Sequence, residues 1–239
     1  MIAIYCTIEE ISSRIVSRMI PVERHPGDDI SGIEGGLDGT RVILVVDRKE
    51  AAGLSEIKSI ITRRDITTLI HIDGACPIVP YLQHGDMVVA DSLITYNFDG
   101  PSGFGNSPLN RDDRSKSPLD QTLMSQVMKT YETLFFGRSN RPQLIRGRVV
   151  TAENGTADKK ALAKLQRLLG GMAVDRNGAM VEDFCRSKNI LLLLLRVIID
   201  PDDVEGHPET DSGLKLVPDQ VTELIVHTIA TPQPVATFS

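Results

Sequence analysis

The sequence is poor in aromatic residues: it has no tryptophan, and only 4% of its 239 residues are aromatic. Stacking platforms for single-stranded nucleic acid are therefore not expected. Positive charge is also scarce, because 32 acidic residues outnumber 26 basic ones and give a formal net charge of −6. An acidic chain is not attracted to a nucleic-acid backbone or to an anionic membrane surface. We therefore expect neither nucleic acid nor a membrane as its partner.

Cysteine is scarce as well, since Cys6, Cys76 and Cys185 are far apart and odd in number. They show no zinc-type spacing and no disulfide framework, which favours small buried thiols in a reducing compartment. The five histidines form no ligand-spaced pair, and His71 is interpreted as a hydrogen-bonded core residue within a strand. No GxGxxG, P-loop, GxSxG or HExxH motif is present. We expect no metal and no cofactor.

Long hydrophobic runs are missing. The longest, Ile190–Leu195, is far shorter than the roughly 20 residues that span a bilayer. The first residues, MIAIYCTIEEI, turn acidic too early for a secretory signal. These features predict a cytoplasmic protein.

What the sequence does contain is a regular alternation of strand and helix patterns. The expected strands are Ile2–Cys6, Arg41–Val46, Thr68–Ile72, Asp86–Leu93, Leu144–Thr151 and Ile190–Ile199. The expected helices are Ile8–Ile20, Ala51–Thr62, Leu119–Phe135, Lys159–Leu169, Gly178–Lys188 and Pro218–Ala230. A Gly- and Asp-rich hairpin region (21–40), a long loop (99–120) and a frayed tail (231–239) complete the chain. Without a linker or repeat, this pattern predicts one α/β domain, 1–239, with a largely parallel sheet.

Ligands of open α/β sheets gather beyond the carboxyl ends of the strands. Asp200 is the strongest candidate there, because it follows the most apolar strand, where desolvation would raise its pKa and suit it to act as a general acid. The alternative is a turn cap next to Pro201. Glu10 stands where an acid also simply complements a helix dipole. Arg48 and Lys49 follow RVILVV and bind an anion or begin a solvated helix.

The stretch AVDRNGAM, residues 173–180, places an acid, a base and an amide at the mouth of an apolar helix. One interpretation is a polar helix start. The other is a binding site.

Four stretches, taken in order, resemble the purine nucleoside phosphorylase superfamily, and most of all its methylthioadenosine/S-adenosylhomocysteine nucleosidase and hopanoid-associated phosphorylase branch. The stretches are IAIYCTIEEI, LIHIDGACPIVPYLQHGDMVVADSLITYNFD, VVTAENG and AVDRNGAMVEDFCRSKNILLLLLRVIID. The likeness covers roughly residues 1–100 and 144–203, and the region 101–143 is a divergent insertion. It implies a three-layer α/β/α sandwich with a mixed sheet, and a homodimer.

The resemblance also implies a site that cleaves an N-glycosidic bond of a nucleoside-like ligand. Asp200 stands where the family has the acid that protonates the leaving base, and Glu10 near its water-activating glutamate. Arg48 and Lys49 replace the family's phosphate-binding turn. The expected substrate contacts are Asn177, Arg176, Asp175, Thr151, Ala75 and Gly74.

Several positions depart from the family pattern. Arg176 and Asn177 replace a methionine and the glutamate that holds ribose, and Ile199 replaces the serine before the acid. Loss of a charged contact to a transition state costs on the order of 3 kcal/mol. Two functions are therefore kept: cleavage of a purine nucleoside or of a modified, anionic relative, or a catalytically degenerate protein that binds a ligand or a partner.

Overall fold

The computed structural model describes residues 1–25, 30–47, 54–96, 118–139, 141–152, 159–199 and 217–230. The strands are β1 Ile2–Cys6, β2 Ile20–His25, β3 Ile30–Leu37, β4 Thr40–Asp47, β5 Thr68–Pro77, β6 Met87–Thr95, β7 Leu144–Thr151, β8 Ala173–Asp175 and β9 Leu191–Ile198. The helices are α1 Glu9–Arg18, α2 Leu54–Thr62, α3 Gln121–Phe135, α4 Lys159–Leu169, α5 Gly178–Lys188 and α6 Val217–Ala230.

These strands form one mixed sheet in the order β2-β3-β4-β1-β5-β8-β7-β6-β9. β1 lies parallel between β4 and β5, and β5 is also parallel to β9. Because β9 pairs with β6 as well, the strands β5, β8, β7, β6 and β9 close into a ring of pairings. The sheet is therefore open at the β2–β3 hairpin and curls into a small barrel at its other end.

Alternating side chains send each strand into two cores, as the pleat requires. On β1, Ile4 and Cys6 join the core covered by α1, α3 and α6, whereas Ala3 and Tyr5 join the core covered by α2 and α5. On β9, Leu194 and Ile198 belong to the α5 side. Helices on both faces of a mixed sheet confirm the predicted three-layer sandwich.

The local predictions are confirmed for most elements. Strands β1 and β7 and helices α4 and α5 have the predicted bounds. Strands β2 and β3 pair antiparallel, as expected for the hairpin region 21–40. Strand β5 runs five residues beyond its prediction, to Pro77, and β8 was not predicted. Most of the expected loop 99–120, and the tail 231–239, lie outside the described residues. Within the described ranges, no helix combines the length and apolarity needed to cross a bilayer.

Candidate active site

Helix α5 begins over the carboxyl ends of the central strands, and its first turn meets polar side chains from β5, β7, β8 and β9. Strand register sets this arrangement, since Asp73 of β5 lies opposite Arg196 of β9. In the same way, Thr151 of β7 lies opposite Asp175 of β8. We call the set Asp73, His71, Asn177, Arg196, Asp175 and Thr151 the site cluster.

A buried ion pair forms the floor of the site cluster. Arg196 Nε donates to Asp175 Oδ2 at 2.6 Å, and both side chains are fully buried. The other Asp175 oxygen accepts the Thr151 hydroxyl at 2.6 Å, and that hydroxyl accepts the Ala179 amide at 2.9 Å. A buried charge is stable only when it is paired and hydrogen-bonded. Asp175 and Thr151 therefore anchor Arg196 and the first turn of α5 from behind the site.

Asn177 occupies the N-cap position of α5 but does not cap it. An N-cap asparagine normally accepts a hydrogen bond from the second or third amide of its helix, and no such bond is present here among the described residues. Its Nδ2 instead donates to Asp73 Oδ2 at 2.8 Å, and its Oδ1 accepts from Arg196 Nη2 at 3.4 Å. The amide thus bridges a carboxylate and a guanidinium.

Asp73 is held by groups from three segments of the chain. Its Oδ1 accepts the Gly74 amide at 2.8 Å and also the Thr7 hydroxyl, while its Oδ2 accepts from Asn177. The Asp73 side chain stays 17% exposed, whereas that of Asp175 is 0% exposed. Of these two carboxylates, Asp73 is the one that reaches solvent.

His71 lies beneath Asp73, stacked on Tyr5 with ring centroids 4.5 Å apart. Burial, helped by the positive charge of Arg196, holds the pKa of His71 well below its usual value, so the ring is neutral. Its Nδ1 lies 3.3 Å from Arg196 Nη2, which can only donate, and the proton therefore sits on Nε2. That Nε2 has no hydrogen-bond partner among the described residues and lies 3.8 Å from Asp73 Oδ2. The core position of His71 is confirmed, but its hydrogen bonding is only half satisfied.

The start of α1 lies at the same edge of the sheet. Thr7 links it to Asp73, and Glu10 in the first turn of α1 is exposed. Burial, together with the negative charges of Asp73 and Glu10, raises the pKa of the Cys6 thiol to about 12. Burial likewise raises the pKa of Cys185 to about 12. Both thiols remain protonated near neutral pH and are not nucleophiles.

The other predicted site residues lie in β5, beside Asn177, or outside the described residues. Gly74 and Ala75 continue β5 past Asp73, and the Ala75 carbonyl accepts the Ile199 amide at 3.0 Å. The Ile199 side chain packs over Gly74, where an added Cβ would lie 2.6 Å from Ile199 Cδ1. Arg176 is exposed beside Asn177. Asp200, Arg48 and Lys49 lie outside the described residues.

Three members of the site cluster were not among the predicted site residues: Asp73, His71 and Arg196. The carboxyl-end rule does point to Asp73, which follows the buried run TLIHI. The signal for Arg196 is a single charge inside the otherwise apolar ILLLLLRVII, because a charged side chain is almost never buried without a partner.

Comparisons with known proteins identify the family and the fold. The profile of the Phosphorylase superfamily matches residues 7–229. Two 5'-methylthioadenosine/S-adenosylhomocysteine nucleosidases, from Mycobacterium bovis and Mycobacterium tuberculosis, are each 24% identical to this chain over 221 residues. The alignments cover 83% of this chain and 85% of theirs.

Two solved structures show the same fold. The nucleosidase of that name from Neisseria meningitidis, in complex with methylthio-immucillin-A, has a TM-score of 0.71 at 17% identity, covering 97% of this chain and 99% of that one. Futalosine hydrolase of Helicobacter pylori has a TM-score of 0.73 at 18% identity, covering 95% and 96%. The predicted nucleoside phosphorylase-like architecture is confirmed.

Proposed function

Because the chain belongs to the phosphorylase superfamily, we propose that it cleaves the N-glycosidic bond of a purine nucleoside or of a modified relative. The observation that carries this proposal is the side chain of Asn177 at the N-cap of α5. It does not cap the helix but hydrogen-bonds to Asp73 and Arg196. Such a polar cluster at the carboxyl edge of the sheet offers acceptors and donors to a ligand rich in hydroxyl groups.

In the proposed reaction, the bond between the sugar carbon and the base nitrogen breaks, and the base leaves with the electron pair. Asp200 donates a proton to the departing base, and a water molecule adds to the sugar carbon and gives up a proton to Glu10. The products are the free base and the sugar, and solvent returns both carboxyl groups to their starting states. Glu10 is well placed for exchange, because it is exposed at the start of α1, beside the Thr7 link to Asp73.

The sugar and its substituent are assigned to the first turn of α5 and to β5. Asn177 and Gly74 hydrogen-bond to Asp73, and Ala75 follows in β5. Arg176 is exposed, and a guanidinium there suits a phosphate or carboxylate substituent. Asp175 and Thr151 serve as supports, because hydrogen bonds to each other, to Arg196 and to α5 engage their buried side chains. Arg48 and Lys49 are proposed to attract the anion.

The test is incubation of the protein with methylthioadenosine, S-adenosylhomocysteine, futalosine, adenosine, inosine and nucleotides while free base is measured. Running each reaction with and without phosphate separates hydrolysis from phosphorolysis, which is a glycosyl transfer to phosphate. Asp200→Asn should abolish release of base, and Glu10→Gln should lower it at least about 10²-fold if water is the nucleophile. The matched control is Glu9→Gln, at the neighbouring exposed position of the same helix turn. Absence of base release from the whole panel contradicts the proposal.

Assembly and location are further proposals that follow from the family resemblance. We propose a single domain over residues 1–239 that works as a homodimer in the cytoplasm. Light scattering on the purified chain tests the dimer, since a monomeric mass at micromolar concentration contradicts it.

A further inference from the structure

We propose that Asp73 is the carboxylate that the site presents to the ligand, where it accepts sugar hydroxyl groups and faces the positive charge that develops on the sugar as the bond breaks. This inference deepens the proposed function and rests on it. Nothing in the residue pattern of the family resemblance gave Asp73 this role.

Spare hydrogen-bond capacity on an oxygen that solvent can reach supports Asp73. A carboxylate oxygen accepts about two hydrogen bonds. From the residues that the structure describes, Oδ1 of Asp73 already accepts two, from Gly74 and Thr7, whereas Oδ2 accepts one, from Asn177. Oδ2 therefore keeps acceptor capacity on a side chain that is partly open to solvent. Asp175 cannot take this role, because its side chain is fully buried, although within the described ranges each of its oxygens accepts only one hydrogen bond, from Thr151 or from Arg196.

Asn177 is oriented so that its amide nitrogen faces Asp73, which carries the negative charge. Arg196 donates to the amide oxygen of Asn177, and this contact turns the amide nitrogen towards Asp73. The amide carries no charge of its own, although it stands where the resemblance implies a glutamate. The two residues therefore share the role of that glutamate: Asn177 positions the Asp73 carboxylate, and Asp73 carries the charge.

His71 is an independent observation that points to the same oxygen. It is fully buried, its Nε2–H has no partner among the described residues, and Asp73 Oδ2 lies 3.8 Å away. At this distance the N–H does not form a hydrogen bond, but its dipole stabilises negative charge on Oδ2 in a low-dielectric setting. His71 thus acts as a positioning residue that supports Oδ2 from the buried side, while a ligand approaches from the open side.

A hydroxyl group bound to Asp73 would donate its proton to Oδ2. As the glycosidic bond lengthens, positive charge grows on the sugar, and a nearby carboxylate stabilises that charge more strongly than it stabilises the ground state. Loss of the Asp73 charge is therefore expected to lower kcat and kcat/KM together, with a smaller change in KM.

The first experiment is Asp73→Asn, which keeps the shape of the side chain and removes its charge. We expect kcat/KM to fall about 10²- to 10³-fold on the best substrate of the panel. Affinity for methylthio-immucillin-A, measured by calorimetry, should fall at least about tenfold. The matched control is Asp91→Asn, a partly exposed carboxylate on β6 that pairs with Arg146, and it should retain wild-type activity and affinity.

The second experiment exchanges charge and amide between the two positions. Asn177→Asp alone sets two carboxylates side by side and should weaken binding and turnover about tenfold or more. The double variant D73N/N177D restores one carboxylate facing one amide. It should recover to within about tenfold of wild type, because the two changes are coupled. Melting temperatures of all variants show whether each one folds.

The outcomes separate this inference from the proposed function. Wild-type cleavage with an active Asp73→Asn variant overturns the role of Asp73 and leaves the function standing. Binding of methylthio-immucillin-A without cleavage of any substrate overturns the function, and the affinity of Asp73→Asn then decides the inference alone. Strictly additive losses in the double variant also overturn the inference, and a wild-type protein that neither binds nor cleaves overturns both.

Discussion

Two clusters of carboxylates and arginines lie at different places in the molecule and differ in which of their groups reach solvent. In the site cluster, Arg196 and Asp175 are both fully buried. The network continues to the half-buried amide of Asn177 and to the His71 imidazole, whose Nε2 has no hydrogen-bond partner in the described part of the chain. We call Glu34, Arg41 and Arg64 the hairpin cluster. There, Glu34 of β3 accepts Arg41 Nε at 2.8 Å and lies 3.5 Å from Arg64 Nε, and the Arg41 side chain is 76% exposed.

We interpret this difference as one between a structural charge cluster and a candidate functional one. Glu34 is a single acid that accepts hydrogen bonds from two arginines, Arg41 and Arg64, and the Arg41 side chain reaches water. In the site cluster, the charges of Arg196 and Asp175 are buried. Two atoms that keep unused hydrogen-bond capacity among the described residues, Asp73 Oδ2 and His71 Nε2, lie next to each other. Unused polar capacity at a partly open edge is what distinguishes a binding site from a stabilising ion pair.

Removal of Arg196 is expected to have the largest effect. Arg196→Met leaves Asp175 buried without its partner, and breaking a buried pair in this way destabilises the fold by about 3–5 kcal/mol. The double variant R196M/D175N removes both charges and should be less destabilised than R196M alone. Urea unfolding measures both. Equal stability of R196M and wild type would contradict the sealed ion pair.

A methyl group at Gly178 tests how tightly the site cluster is packed. An added Cβ would overlap Asp175 Oδ2 and lie 3.2 Å from Arg196 Nη2. Gly178→Ala should therefore cost about 1–3 kcal/mol. Gly36→Ala in the hairpin is the control, because an added Cβ there meets nothing within 4 Å. Thermal unfolding of the pair should show a clear loss only for Gly178→Ala.

The two clusters should respond to acid in different pH windows. Burial and the charge of Arg196 lower the pKa of His71 below 6.5 in the folded chain. Below about pH 6.5, His71 therefore binds a proton in the unfolded chain but not in the folded chain. Stability should then fall as the pH drops below about 6.5, by at most about 1.4 kcal/mol per pH unit. Urea midpoints between pH 7.5 and 5 measure the slope, which His71→Asn should reduce.

Glu34 provides the second window. Burial alone raises its pKa, but hydrogen bonds and charge from Arg41 and Arg64 outweigh burial and lower the pKa below 4.5. Its contribution is therefore full above about pH 4.5 and is lost as the pH falls through the lower folded value. Glu34→Gln should remove this loss below pH 4.5 and leave the His71 window unchanged.

The smallest effect is expected at the exposed end of the hairpin cluster. Arg41→Ala removes a mostly solvated partner of Glu34 and should cost at most about 1 kcal/mol, less in high salt. The Arg64 side chain is only 17% exposed, so Arg64→Ala should lower the free energy of unfolding by more than Arg41→Ala does. Urea denaturation at low and high salt compares the two variants. A larger loss of stability for Arg41→Ala than for Arg64→Ala would contradict the view that the exposed Arg41 contributes less.

Local pattern was enough to predict elements whose signal lies within one segment. The apolar runs of β1 and β7 and the periodicity of α4 and α5 predicted their bounds as the structure has them. Strand β8 escaped prediction because three residues carry no period of their own, and only pairing with β5 and β7 makes them a strand. Asn177 was recognised as a candidate, since AVDRNGAM is an unusual helix start, but its partners were not.

The sequence by itself determined the α/β class, the family and the place along the chain where a site should be sought, because periodicity and motif order are properties of contiguous residues. Only the tertiary structure decided which side chains meet there. Asp73 lies opposite Arg196 through the pairing of β5 and β9, and Asn177 reaches both through the placement of α5. Register between distant strands sets those contacts, and register depends on packing across the whole sheet.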